Sequence, residues 1–576
     1  MRAIALILLI VGATSMTSPS AQSNSQTSSA PPASANAAAN AKELDCTVSG
    51  QVIALAASVP IRNALVTLHD TDDRTRTPVT IKSDADGKFR FNGIIAGHYS
   101  LTVTRHGYVT QEYGQRSSDG PGATLTLTPG QNMKDLLFRL VPSATIAGHI
   151  QDEDGEPIGW ARVTALRYIY KKGKRTFVNE MTIATNDLGE YRLFGLRPGR
   201  YFISAFYHPG ASHYEEWDGE DVADTLKENY VLTYYPGTYD SSKAQAITVK
   251  SGEEIPSVDF TMRPTAVYRV KGRVINNIPD TKRKNTDSIM VFLQPRGGVT
   301  QMNSMTFDAN NSVKKDGTFS LAPVPPGSYA VTAQYYDGEK MHGVSTNLEV
   351  NNADVESIQL VISKGSAVPG RVHWEGRPSL SGDDDLFVSG RTENLSEFGN
   401  AYARVEPDGS FLWTEIPDGT ARVTVAGLGK DAYVKAVDYD GVNVLDQGFT
   451  SHAGSNAAIE VTLCSRSGHI QGAVVDADGL PAVGVWVVLV PNTRRDRHDL
   501  YKPVHTDQHG QFKVDGITPG DYLLLSWEEV EDGAWEDTDF LKPFEQKAEK
   551  VSVQEGDTKT ENLISIKTAT QDQAKP

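Results

Sequence analysis

Gly510-Gln-Phe512-Lys-Val514-Asp-Gly-Ile517-Thr-Pro519-Gly520-Asp-Tyr522 is one of five variants of a single pattern in this chain of 576 residues. Gly87, Gly189, Gly317, Gly409 and Gly510 are each followed, ten positions on, by a second glycine: Gly97, Gly199, Gly327, Gly419 and Gly520. Two positions after the first glycine stands an aromatic residue (Phe89, Tyr191, Phe319, Phe411, Phe512). Seven positions after it stands an aliphatic one (Ile94, Leu196, Val324, Ile416, Ile517). Two positions after the second glycine come Tyr99, Tyr201, Tyr329 and Tyr522, with Ala421 the exception. Copies at constant internal spacing define a tandem array.

The first glycine ends an Asp- or Asn-led turn, as in Asp84-Ala-Asp86-Gly87 and Asn186-Asp187-Leu-Gly189. Glycine accepts the positive φ of such turns without a steric penalty. Apolar residues then alternate: Phe89 and Phe91, Tyr191 and Leu193, Phe411 and Trp413, Phe512 and Val514, separated by residues such as Arg90, Arg192 and Lys513. A period of two with one apolar face predicts a half-buried antiparallel strand. The second glycine starts another strand, Tyr99-x-Leu101-x-Val103 in the first copy. A tyrosine there resembles the tyrosine corner of immunoglobulin-like sandwiches, whose hydroxyl bonds a nearby backbone group. The aromatics of the pattern are therefore expected in a core rather than on a ligand platform. Successive copies lie about 90 to 130 residues apart, the size of a small sandwich domain. The fold class is all-β, a tandem array of five Ig-like antiparallel β-sandwich domains.

A formal charge of −17 argues against nucleic acid or an anionic membrane surface as partner. Arg2 followed by the apolar run Ala3 to Ala13 reads as a secretory signal, residues 1–21, with cleavage expected after Ala21 and a site nearer Ala13 left open. Residues 22–43, rich in Ser and Ala, are expected to be a disordered linker. No later stretch has the length and hydropathy of a transmembrane helix. The protein is expected to be exported: periplasmic, outer-surface or secreted. Cys46 and Cys464 would stand too far apart to bond in an extended array, so two free thiols are expected, since a disulfide needs Cα atoms within roughly 7 Å. The sequence leaves open whether the array is a rod or folds back.

Each unit opens on Gly-x-Val or Gly-x-Ile: Gly50-Gln-Val52, Gly148-His-Ile150, Gly272-Arg-Val274, Gly370-Arg-Val372 and Gly472-Ala-Val474. Two copies follow this with an Asp-Gly-x-Pro turn, Asp154-Gly155-Glu-Pro157 and Asp478-Gly479-Leu-Pro481. With the Gly-x-Phe and Pro-Gly-x-Tyr elements, these motifs resemble the carboxypeptidase regulatory-like domain, over roughly residues 44 to 568. The resemblance implies prealbumin-like (transthyretin-like) sandwiches related to Cna protein B-type domains, as in secreted repeat proteins of soil bacteria such as Acidobacteria. It is stronger in the first, second and fifth units than in the third and fourth. The expected boundaries are 44–142, 143–264 with a loop insertion at 208–236, 265–364 (divergent), 365–465 (divergent) and 466–570. A short helix is expected from Asp221 to Asn229.

Two irregular stretches carry the candidate chemistry: the 208–236 insertion and the acidic run from Trp527 to Asp539. Trp217, Tyr234, Tyr235, Trp527 and Trp535 are candidates for stacking on sugar faces, with buried packing as the alternative for Trp527. His213-x-x-Glu216 has the spacing of half a metallocarboxypeptidase zinc signature, but a catalytic zinc needs three protein ligands and an open position. The catalytic domain of that family has no counterpart here. Asp152, Asp154, Asp476 and Asp478 offer hard oxygen ligands suited to calcium, yet Asp-x-Asp-Gly is also ordinary turn chemistry. A Lys–Asn isopeptide crosslink is set aside because the closing strands expected at Leu136 to Leu140, Val258 to Met262, Ile358 to Ile362 and Ile459 to Leu463 lack Asn. The reading is a non-catalytic binding or scaffold protein of the cell envelope, monomeric and without a cofactor. Its partner would be a glycan or an envelope protein. The alternatives are a hydrolase centred on His213 and Glu216, and a plain structural spacer.

Overall fold

The structure, a computed structural model, describes residues 45–567 apart from 74, 117–119, 208–227, 279–288, 297–312, 337–340, 364–365, 377–384, 393–399, 417–418 and 452–456. The expected signal peptide and linker, along with His213, Glu216 and Trp217, lie outside the described residues.

Strands dominate the regular structure. In the first unit, Lys88–Ile94, Cys46–Ala54 and Asn132–Leu140 form one sheet in that order. Val79–Lys82, Leu65–Asp70 and Gly97–Thr104 lead the second. The two strands of the repeat thus belong to opposite sheets, and the segment around the second glycine is the corner where the chain changes layer. The same crossing joins Glu190–Leu196 to Gly199–Phe206, Thr318–Val324 to Gly327–Tyr336, Ser410–Ile416 to Gly419–Ala426, and Gln511–Ile517 to Gly520–Trp527. At the corner the tyrosine hydroxyl donates four residues back: Tyr99 to the Ile95 carbonyl, Tyr201 to Arg197, Tyr329 to Pro325 and Tyr522 to Thr518, at 2.6–2.9 Å. The corner expected from the sequence is present in all four units that have the tyrosine. In the fourth, Phe449 pairs opposite Ala421, and the core is filled by Trp413, whose indole donates to the Val388 carbonyl at 2.9 Å.

The Gly-x-Val opening has an equally local cause. Gly50, Gly148, Gly272, Gly370 and Gly472 each pair directly opposite the aromatic of the repeat, Phe89, Tyr191, Phe319, Phe411 and Phe512. In four units a Cβ at this glycine would fall on a carbonyl of the closing segment (Leu136, Val258, Ile358, Glu561), and in the fourth unit on the Phe411 ring. The missing side chain lets the closing segment come close and lets the aromatic lie across the strand.

One feature refines the antiparallel expectation. Opening and closing strands of each unit run parallel, as Cys46–Ala54 does with Asn132–Leu140 and Ser366–Glu375 with Ile459–Cys464. Each first sheet is therefore mixed, because the chain leaves it for the other layer and returns in the same direction. Five core clusters result, each drawn from one of the five segments. The helix expected at 221–229 is not borne out at its end: Glu228–Tyr230 is a strand paired with Pro264–Ala266, and 221–227 lie outside the described residues.

Candidate interaction surfaces

The acidic run after Trp527 folds into a cap. Ala534–Glu536 forms a 3-10 turn, Thr538–Leu541 a single helical turn capped by the Asp537 carboxylate, and Lys542–Lys547 a further 3-10 segment. The cap lies on the outer face of the fifth unit's second sheet, over Val488, Val490, Leu523 and Leu525. This gives the unit an apolar cluster separate from its sandwich core. Trp527 is 0% exposed and Trp535 2%, both within that cluster. Neither offers a face to a ligand, which corrects the stacking role expected for them: the indoles fill the space between cap and sheet. Tyr234 is likewise buried, in a small cluster with Leu166, Phe177 and Phe202, and Tyr235 packs edge-on to Phe260. The calcium candidates are turn residues. An oxygen of Asp152 accepts from the Asp154 and Glu156 amides, and one of Asp476 from Asp478 and Leu480.

Tyr170 of the second unit completes the cap's apolar cluster. It comes from the hairpin of Arg162–Lys171 and Lys174–Ala184, whose tip reaches the cap. A Cβ on Gly173 would stand 2.6 Å from the Glu536 carbonyl oxygen, and one on Gly533 2.9 Å from that of Tyr170. Arg175 reaches Glu531 at 3.9 Å.

The first unit also meets the fifth. The Gln508 side-chain amide both donates to and accepts from the backbone of Thr126 at 3.1 Å, imitating a step of strand pairing. Gly484 approaches the Gly114 backbone too closely for a Cβ, and Arg116 bonds the Val483 carbonyl and pairs with Glu528. The fourth unit joins through charge. Arg497, 5% exposed, reaches Asp446 of the fourth unit at 2.6 Å while its other nitrogens hold Asp499. Glu555 accepts from Lys435, Tyr433 and Arg466 at 2.7–3.0 Å, and these partners, Lys435 foremost, hold its carboxyl down at about 2. The fifth unit is therefore a hub for the first, second and fourth, and the array folds back. It does so with both cysteines buried and free.

Among the described residues, Glu375, Cys464 and Glu555 converge closely enough to hold a metal ion. The Lys435 ammonium already bonds both carboxylates, at 2.6 and 3.0 Å, so a cation occupies the position a metal would take.

Two open hollows stand out among the described residues. One, of about 550 Å³, lies between the first and fifth units and is lined by His98, Thr126, His505, Gln511, Lys513 and Asn562. The other, of about 610 Å³, lies on the fourth unit where edge strand Asn400–Arg404 meets edge strand Ser410–Ile416. There Tyr402 is 61% exposed, with one ring face against Phe387 (centroids 4.9 Å apart, planes at 15°). Arg371, Arg404, Glu406, Leu412 and Glu460 line the same hollow. Alternation along the strand buries Ala401 and turns Tyr402 outward. Without the register that sets Tyr402 beside Phe387, the sequence gives this tyrosine no mark of its own.

Residues 47–141 match the family model of the carboxypeptidase regulatory-like domain. Colossin-A of Dictyostelium discoideum is 20% identical over 513 residues, 81% of this chain and 4% of that protein, so the chain spans a small fraction of that relative. Among solved structures, the minor pilin GBS52 of Streptococcus agalactiae shares 11% identity over 38% of this chain and 96% of its own, at a TM-score of 0.21. The major pilin subunit BcpA of Bacillus cereus shares 12% over 55% and 99%, at 0.14. The TIE protein of Bacillus anthracis shares 13% over 55% and 51%, at 0.16.

Proposed function

We propose that the chain is an exported, non-catalytic binding or scaffold protein of the cell envelope, built of five sandwich domains at 44–142, 143–264, 265–364, 365–465 and 466–570. The observation that carries this reading is the use made of the charged and aromatic side chains. Arg116, Arg497, Glu528, Glu555 and Tyr170 hold units to one another, and Trp527 and Trp535 support the cap. A chain that commits such groups to its own shape is suited to presenting surfaces. Envelope fractionation and metal analysis of the purified protein test it. The protein should fractionate with the envelope and carry no stoichiometric metal; zinc bound one to one and lost in His213→Ala would establish the hydrolase alternative instead.

A second reading is favoured by Tyr402. An exposed ring backed by a second ring, beside arginine and glutamate side chains, has the chemistry to stack on a pyranose and bond its hydroxyls. In this reading the fourth unit's groove is a glycan site. Binding on a glycan array should fall at least tenfold in Tyr402→Ala while the melting temperature stays put. An array on which the wild-type protein binds nothing would leave the scaffold alone.

A further inference from the structure

In every unit the strand that begins at the second repeat glycine pairs, on one side, with the edge of its sheet. In four units that edge is short or broken. It is Gln111–Glu112 and Leu125–Leu127 in the first, Thr233–Tyr234 and Ile247–Val249 in the second, Phe449–Ser451 in the fourth and Glu549–Val553 in the fifth. The third unit instead keeps ten residues in one run: Met341–Val350 pairs residue for residue with Gly327–Tyr336, without a bulge. A long edge is a template for further pairing, and proteins usually blunt it with lysine, proline or a bulge. Met341-His-Gly-Val-Ser-Thr-Asn-Leu-Glu-Val350 contains neither residue. Its one acid, Glu349, accepts from the Ser328 hydroxyl at 2.6 Å.

The register fixes which backbone groups point away from the sheet. Residues of a strand alternate in the side to which they turn N–H and C=O. The Ser328 carbonyl accepts from the Arg296 amide, on the side of Ile289–Pro295. Tyr329, Val331 and Ala333 therefore bond the other way, to Leu348, Thr346 and Val344. Gly343, Ser345, Asn347 and Glu349 turn their backbone groups outward, and among the described residues none of these groups meets a backbone partner. On the face toward the core, Val344 and Leu348 are only partly covered.

The molecule already docks through the equivalent edge of its first unit. Thr126 stands opposite His98 there as Glu349 stands opposite Ser328, each partner following the second glycine directly. Gln508 of the fifth unit takes both the N–H and the C=O of Thr126. What fits this edge is a donor and an acceptor at main-chain spacing, and four such steps in a row fit an extended backbone. We propose that Met341–Val350 is a strand-addition site for an extended segment of a partner protein, uncharged and aliphatic at alternate positions. Main-chain bonds to Gly343, Ser345, Asn347 and Glu349 hold the segment, and its aliphatic side chains complete the cover of Val344 and Leu348. Such a site rests on the binding reading above and gives it a partner class.

Random peptides of about nine residues, displayed on phage and selected on the full-length protein, supply the probe. Asn347→Pro is the discriminating variant. Asn347 is exposed and its N–H points outward, so proline there removes a docking donor without breaking a bond to Gly327–Tyr336. The selected peptides should be uncharged and alternate in aliphatic residues. They should bind Asn347→Pro about tenfold more weakly than wild type, and slow amide exchange across residues 343–349 of the wild-type protein. Peptides that bind both proteins equally, or leave exchange there unchanged, overturn the proposal, as does a selection that returns none. Amides of 343–349 that are already slow in the protein alone overturn it too. A single chain on sedimentation would then mean that another part of the chain covers the edge, and a two-chain mass that a second copy does. Should Asn347→Pro fail to fold, Asn347→Lys takes its place, since an edge lysine opposes added strands. None of these outcomes alters envelope fractionation or metal content, so the site and the scaffold reading fail separately.

Discussion

A methyl group at Gly472 would overlap the Glu561 carbonyl oxygen, while Phe512 lies opposite on the neighbouring strand. Gly472→Ala should therefore push the closing segment away and destabilise the fifth unit by about 1–3 kcal/mol, the usual cost of overpacking, read as a lower urea midpoint. Trp535 is a second residue whose role is set by its surroundings. With its indole between cap and sheet, Trp535→Ala should cost about 3–5 kcal/mol on thermal unfolding and leave any glycan binding unchanged. The role of Phe512 was legible in the sequence because its strand alternates. That of Trp535 was not, because an acidic stretch reads as solvated until the apolar face beneath it is known.

Among elements, the cap illustrates a signal present in the sequence but read on one face only. Val485-Trp-Val487-Val488-Leu489-Val490 and Tyr522-Leu523-Leu524-Leu525 are apolar at successive positions, the mark of strands covered on both sides. The sandwich core accounts for Val487, Leu489, Tyr522 and Leu524; the cap accounts for Val488, Val490, Leu523 and Leu525. The segment around Glu555 gives a pH prediction. Lys435, Tyr433 and Arg466 hold its carboxyl from the ordinary glutamate value of 4.5 down to about 2. A depressed carboxylate contributes stability above its unfolded pKa and loses it as pH falls through the folded one. Wild-type stability should thus fall between pH 4.5 and 2, and Glu555→Gln, lower at neutral pH, should show a shallower fall over that window. Identical slopes from denaturation midpoints in the two proteins would mean that the junction does not depend on this carboxylate.

For the whole molecule the decisive feature is return. Five sandwiches of about 35 Å placed end to end would have a radius of gyration of about 50 Å, whereas a compact chain of this length would have roughly 25 Å. Small-angle scattering should give a value nearer the compact figure. Arg497→Ala combined with Gln508→Ala and Arg116→Ala should raise it, since those side chains link the first and fourth units to the fifth. A rod-like profile from the wild-type protein would contradict the hub arrangement. The repeat, the corner tyrosines, the opening glycines and the all-β class were determined by the sequence alone. Each depends on neighbours within one unit, and a strand's alternation or a turn's glycine records those neighbours directly. Which aromatics are buried, which face of the fourth unit stays open, and that the fifth unit gathers the first, second and fourth were decided only by the tertiary structure. Contacts such as Gln508 with Thr126 or Tyr170 with Phe540 join residues hundreds of positions apart, and no local periodicity encodes them.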